Sequence, residues 1–270
     1  MSTVPATARI HPKLRRRRVE VQRAAGRRRL RLVLALLSAI CVLASLIAIV
    51  YSPILDLDRV RWVGTSHLNV RAAQARAGLT LHTPLLRIDL NRVVAEVETE
   101  PWVQRAYVQR HLPGTVSIRV LERTPVAVVA GKGVVAMVDG DGRVLSRGTQ
   151  AGLVSISSDV AVPTAGQKVS ASIAAPATLL ATLPDANVAQ VREIRVAAGG
   201  EAEATVTAGN HEVKVLLGDP SAPQDKARAL ATMLQRVDFA GVTVLDLRAP
   251  RVPVLTRATP ATTVSTAQRG

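Results

Sequence analysis

The chain has 270 residues, with 35 Lys and Arg against 20 Asp and Glu for a formal net charge of +15. Its one cysteine, Cys41, excludes a disulfide framework. Two Trp, two Tyr and one Phe leave no aromatic platform on which nucleic-acid bases could stack. Most of the net positive charge is at one end: Arg9, Lys13, Arg15, Arg16, Arg17, Arg18, Arg23, Arg27, Arg28, Arg29 and Arg31 stand against Glu20 alone in residues 1–31.

Leu32 to Tyr51 is an uncharged, almost wholly apolar run. At about 1.5 Å of rise per residue it covers roughly 30 Å, the hydrocarbon thickness of a bilayer. Backbone polar groups in lipid need internal partners, so the run is expected to be one transmembrane helix, anchored between Leu32 and Tyr51. A cleaved signal peptide fits less well, since its apolar part is about 7–15 residues and no Ala-x-Ala site follows. Basic flanks stay in the cytoplasm, which puts residues 1–31 inside and 52–270 outside, in the plasma (inner) membrane. Arg15 to Arg18, Arg27 to Arg29 and Arg31 then face anionic lipid headgroups, each worth about 1 kcal/mol near the surface. The tail is expected to be disordered and to bind no nucleic acid.

Beyond Ser52-Pro53, a strand is expected over Leu57 to Gly64, with Val60 and Trp62 on one face. Two helices follow: Asn69 to Ala77, stopped by Gly78, and one carrying Leu90, Val93, Val94 and Val97, broken by Pro101. Strands at Val103 to Arg110 and Thr115 to Glu122 complete a β-α-α-β-β unit over residues 54–123. Residues 124–248 turn strand-rich: Val126 to Val129, Val134 to Val138, Arg143 to Ser146, Val191 to Val196, Ala204 to Thr207, Glu212 to Leu217 and Val242 to Leu247. Asp139-Gly140-Asp141-Gly142 reads as a hairpin turn, because a calcium loop would need further acids and Arg143 follows instead. Helices are expected at Ser170 to Leu183 and Asp225 to Val237. Residues 249–270, without acids and rich in Ala, Pro and Thr, are expected to be disordered. The fold class is α+β: one membrane helix, a small βααββ domain and a mainly antiparallel β domain with helices.

A search for chemistry finds little. His67, His82, His111 and His211 are scattered, with no metal-ligand spacing, and no nucleophile elbow or phosphate loop occurs. Glu96, Glu98 and Glu100 read as the solvated face and end of one helix. No catalytic residue, metal, cofactor or small-molecule substrate is expected.

The run from Glu100-Pro101-Trp102-Val103 to Gln109-Arg110, then Pro113 and Ser117 to Ala127 with Glu122-Arg123-Thr124-Pro125, resembles the bacterial cell-division FtsQ/DivIB family. Val63-Gly64, Gly78-Leu79 and Pro84-Leu85-Leu86 are similar to the first half of that family's POTRA domain, and Val138 to Leu145 and Leu245 to Arg248 to its β domain. The resemblance implies a non-enzymatic division scaffold at the septum. Its implied partners are the single-pass proteins FtsB and FtsL and the septal wall synthases FtsW and FtsI. Two other classes fit the composition, a tethered cell-wall enzyme and a POTRA protein of an export system. A sheet edge offers unpaired backbone groups to an incoming strand. Val244, Leu245, Asp246, Leu247 and Arg248, the last expected strand, form the candidate docking edge, with Arg248 facing an acid of the partner. The family often places an aromatic residue after that Arg, where Ala249-Pro250 stand here.

Overall fold

A computed structural model describes residues 30–48 and 55–257. Tyr51, Arg15 to Arg18 and Arg27 to Arg29 lie outside the described residues, as does 258–270 of the tail.

Helix α1, Leu30–Ala48, is apolar along its length and none of it is buried in the protein, so its side chains need a lipid solvent. Arg31 sits in its first turn. The rest builds two sheets. A three-stranded sheet has the order β1-β3-β2, from Arg59–Val63, Val103–His111 and Thr115–Glu122. With it come α2 (Val70–Arg76), a 3-10 turn at Leu85–Arg87 and α3 (Leu90–Glu98). The helix starts are capped as side-chain chemistry dictates. Asn69 accepts from the Ala72 amide, and Asp89 from those of Asn91 and Arg92.

The second sheet has nine strands in the order β12-β11-β10-β9-β8-β7-β4-β5-β6. They are β4 Pro125–Gly131, β5 Val134–Asp139, β6 Val144–Arg147, β7 Val154–Ser158, β8 Val191–Val196, β9 Ala202–Ala208, β10 His211–Gly218, β11 Val242–Asp246 and β12 Val254–Arg257. Parallel pairs join β4 to β7, β7 to β8 and β10 to β11; the other neighbours are antiparallel. Strand β9 shows why the sheet has one dry face: Ala202, Ala204, Val206 and Ala208 are buried while Glu203, Thr205 and Thr207 are not. Helices α4 (Ala171–Thr182), α5 (Asp185–Val188) and α6 (Pro223–Arg236) complete this region. Ile173, Ala177, Leu179 and Leu180 of α4 and Ala227 and Leu230 of α6 join the same core as β4 to β11.

The chain divides into two compact units, residues 1–60 with 80–88 and 110–116, and residues 61–79, 89–109 and 117–270. In the first, the segment entering β1 is held by loops: the Leu57 amide donates to Thr83 O, the His82 amide to Leu57 O, and the Asp58 amide to Gly114 O. In the second, β3 is tied to the large sheet by Arg123. Its Nη1 donates to Asp139 Oδ2 at 2.6 Å, its Nε to Val103 O, and its amide to Trp102 O. Asp139 Oδ1 also accepts from the Asp141 and Arg143 amides, so the Asp-Gly-Asp-Gly turn is folded around this carboxylate. Its glycines serve close approach as well as turning. A Cβ on Gly140 would lie 2.6 Å from Ala181 Cβ, and one on Gly142 2.6 Å from Ala174 Cβ.

Three expectations need correction. Residues 249–270 were expected to be disordered, but β12 forms within them and carries the sheet to Arg257. Glu98 and Glu100 are not simply solvated: Glu98 accepts the Ala106 amide at 3.0 Å, and Glu100 pairs with Arg76. Strand β7 and the one-turn α5 stand where no element was expected.

Candidate partner-docking edge

Strand β11 follows β10 through α6, and the helical crossover makes the two strands parallel, with Val215 opposite Leu245. Leu245 and Leu247 are fully buried, while Val244 and Asp246 are half-buried and Arg248 is exposed. Four of the five candidate residues are thus in or beside a strand as expected, but that strand is not the edge. On its other side β12 pairs antiparallel, with Val244 opposite Thr256, Leu245 opposite Leu255 and Asp246 opposite Val254. The physical reason is that the unpaired backbone of β11 is satisfied by the chain's own next segment before any partner arrives.

The free edge belongs to β12, and its hydrogen-bonding phase follows from one contact. The Leu247 amide donates to Leu216 O, so odd-numbered positions of β11 turn toward β10 and Val244 and Asp246 toward β12. Val254 and Thr256, opposite them, bond inward. The backbone groups of Leu255 therefore point away from the sheet, while Arg257 pairs with Val242 across a register shift. Among the described residues no strand pairs there. Val252 and Val254 are exposed beside it, and the Leu255 side chain packs on the core.

The opposite edge, β6, is closed. The Val144 amide donates to Gln167 O, the Gly166 amide to Val144 O and the Val169 amide to Gly142 O, while Arg143 bridges Lys168. The segment before α4 thus occupies that edge.

Arg248 is already engaged. Its Nη2 lies 2.6 Å from Asp246 Oδ2, and Nε reaches both carboxylate oxygens. The guanidinium lowers the Asp246 pKa through these bonds, and Asp246 raises that of Arg248 in turn. Gly218, at φ +67, leaves room for the Arg248 stem, since a Cβ there would fall 2.7 Å from Arg248 Cγ. The basic group expected to face a partner's acid is held by an acid two residues before it. Sequence reading missed Leu255; the signal was Val254-Leu255-Thr256, a β-prone run behind Pro253.

Two other polar clusters are structural. Glu122 accepts from the Ser66 and His67 amides and pairs with His67 Nδ1 at 3.0 Å, and His67 stacks on Trp102. Burial pushes the Glu122 pKa up, but the hydrogen bonds from His67 and Ser66 outweigh it, and the net shift is downward. Lys226, buried in the first turn of α6, donates to Asp219 O and Asp219 Oδ1. With a bond from the Ser221 hydroxyl as the largest cause and Lys226 next, the Asp219 pKa falls to about 2. Among the described residues no three His, Cys, Asp or Glu side chains are grouped to hold a metal.

Residues 55–123, the β-α-α-β-β region, match the POTRA domain of FtsQ type. The chain is 31% identical over 221 residues to the cell division protein FtsQ of Mycolicibacterium smegmatis, covering 82% of this chain and 63% of that relative. Its POTRA region is of FtsQ type, and most of its length is similar to FtsQ proteins. The FtsQ of Myxococcus fulvus is 28% identical over 207 residues, covering 73% of this chain and 72% of its own. That of Caulobacter vibrioides is 38% identical over 88 residues, 30% of this chain. The chain thus spans less than two thirds of the Mycolicibacterium FtsQ but more of the Myxococcus one. The chain thus carries an FtsQ-type POTRA domain behind α1, a helix long and apolar enough to cross a membrane.

Proposed function

We propose that this chain is an FtsQ-family protein, a non-enzymatic scaffold that gathers division proteins at the septum. The N-terminus is cytoplasmic, α1 crosses the plasma membrane, and the POTRA and β domains act on the far side. The basic tail is held by anionic lipid. The partners are single-pass proteins of the FtsB and FtsL type and the septal wall synthases FtsW and FtsI. The observation that carries this reading is the asymmetry of the large sheet: its β6 edge is filled by residues 166–169, while among the described residues nothing pairs with the outward backbone of Leu255 in β12. A partner strand added there gains main-chain hydrogen bonds, and the exposed Val252 and Val254 flank the seat.

The test is capture of FtsB from membranes by the full chain, combined with imaging of a fluorescent fusion. Septal bands and co-purification are expected. A uniform envelope signal with no capture would remove the scaffold reading, and turnover of a wall substrate by the purified chain would favour a tethered enzyme.

A further inference from the structure

Leucines stand exposed on two loops of the first compact unit. Leu81 precedes the 3-10 turn, Leu86 lies within it, and Leu112 lies in the β2–β3 loop, with relative exposures of 53%, 45% and 67%. Large exposed apolar side chains grouped at one end of a small domain call for an explanation. Both loops grip the same short stretch of chain. His82 and Thr83 bond Leu57 on one side, and Gly114 O accepts the Asp58 and Arg59 amides on the other. Asp56 also bridges Pro84, and a Cβ on Gly114 would strike Asp58 Oδ2 at 2.4 Å. The loops are therefore built around residues 56–59.

That stretch is tethered to the bilayer. Leu57 follows Ala48, the last described residue of α1, by nine positions. Even a fully extended chain of about 3.5 Å per residue spans only about 30 Å. The stretch at 56–59 therefore stays within about 30 Å of the end of α1, close enough for its loops to reach the headgroups. The backbone adds a second observation. His82 adopts φ 64, a left-handed conformation that a non-glycine residue rarely takes, and Thr80 and Thr83 close the turn through their hydroxyls at 2.7 Å. The strained tip leaves Leu81 outward. Residues 80–88 and 110–116 carry Arg87, Arg110, His82 and His111 and no acid, although Asp56, Asp58 and Asp89 adjoin them.

We infer that the loops at 81–87 and 110–114 rest in the headgroup region of the bilayer that α1 crosses, with Leu81, Leu86 and Leu112 dipping into its apolar boundary. The occupant of the patch is phospholipid. Each leucine gains by leaving water for the apolar boundary. The inference rests on α1 being a membrane anchor, and the test separates the two.

The full chain, with Cys41→Ser, is reconstituted into vesicles of phosphatidylethanolamine and phosphatidylglycerol. Single cysteines (Leu81→Cys, Leu86→Cys, Leu112→Cys) carry an environment-sensitive fluorophore, with Val160→Cys as a solvent-exposed reference and Val42→Cys inside α1. Blue-shifted emission at the three loop positions, quenched by lipids with a shallow nitroxide and protected from aqueous iodide, is expected; Val160→Cys should show the reverse. If Val42→Cys is quenched by a deep nitroxide lipid while the loop labels respond only to iodide, the anchor stands and the inference falls. If the loop labels are shielded from both quenchers, a second copy of the chain covers the patch and the lipid assignment is overturned. If Val42→Cys itself meets iodide, the anchor reading fails and takes the inference with it.

Discussion

The two ends of the nine-stranded sheet are treated in opposite ways. At β6 the chain doubles back, and Gln167, Gly166 and Val169 bond along residues 142–144. Next to that end, β5 finishes at Asp139, where Arg123 ties the sheet to the end of β3. At β12, among the described residues, no further strand pairs and a four-residue, largely exposed strand ends the order. Open sheet edges invite pairing, and proteins usually shorten, charge or cover them. One end of the strand order is thus covered and tied through Arg123 to β3, and the other ends in a short strand.

The largest effect is expected at the fixed end. Arg123 and Asp139 side chains are only 16% and 6% exposed. Arg123→Ala should cost about 3 kcal/mol, because it leaves the buried Asp139 carboxylate without its counter-charge. Denaturant unfolding of the full chain in detergent checks this, and a loss within error would show that the turn amides alone satisfy Asp139. At the open end, Leu255→Pro compared with Leu255→Ala isolates the outward amide, since both variants lose the leucine side chain. The proline should weaken FtsB capture roughly tenfold more than the alanine, the equivalent of one good main-chain hydrogen bond to an incoming strand. Equal loss in both would move the docking site off β12.

A third test uses acid. Asp219 has a folded pKa of about 2, below the ordinary value of about 3.9 for the unfolded chain. A depressed carboxyl stabilises the fold above its unfolded pKa and loses that contribution as pH falls through the folded one. The clasp onto Lys226 should therefore hold at neutral pH and weaken between about pH 4 and pH 2. Asp219→Asn should flatten the acid limb of the stability curve over that interval. The smallest effect is expected at Arg248. Its charge is spent on Asp246, so Arg248→Ala should change partner capture far less than Leu255→Pro does. A loss as large as that of the proline variant would restore Arg248 as a direct contact.

Much of this architecture was legible beforehand. The POTRA elements, the Asp-Gly-Asp-Gly turn and α6 have strong local signals: alternation in β3, Asn69 and Asp89 at helix starts, and Ala227, Leu230 and Leu234 at helical spacing. Strand β7 was not legible. It has only Val154 and Ile156 as large apolar residues among serines, and it is fixed by parallel neighbours β4 and β8, far away in the chain. Strand β12 was masked by the Pro and Thr around it. Its order comes from the partner strand β11, which local propensity does not encode. The same oversight bears on the candidate edge: the residues at 244–248 belong to or follow β11, which β12 borders.

Strand β12 comes after the eight others of its sheet in chain order, and it pairs only with β11, which itself needs β10 and the α6 crossover in place. A chain cut short before Val254 would leave the outward backbone of Val244 and Asp246 without the strand that now satisfies it, so truncation there changes which strand borders the sheet.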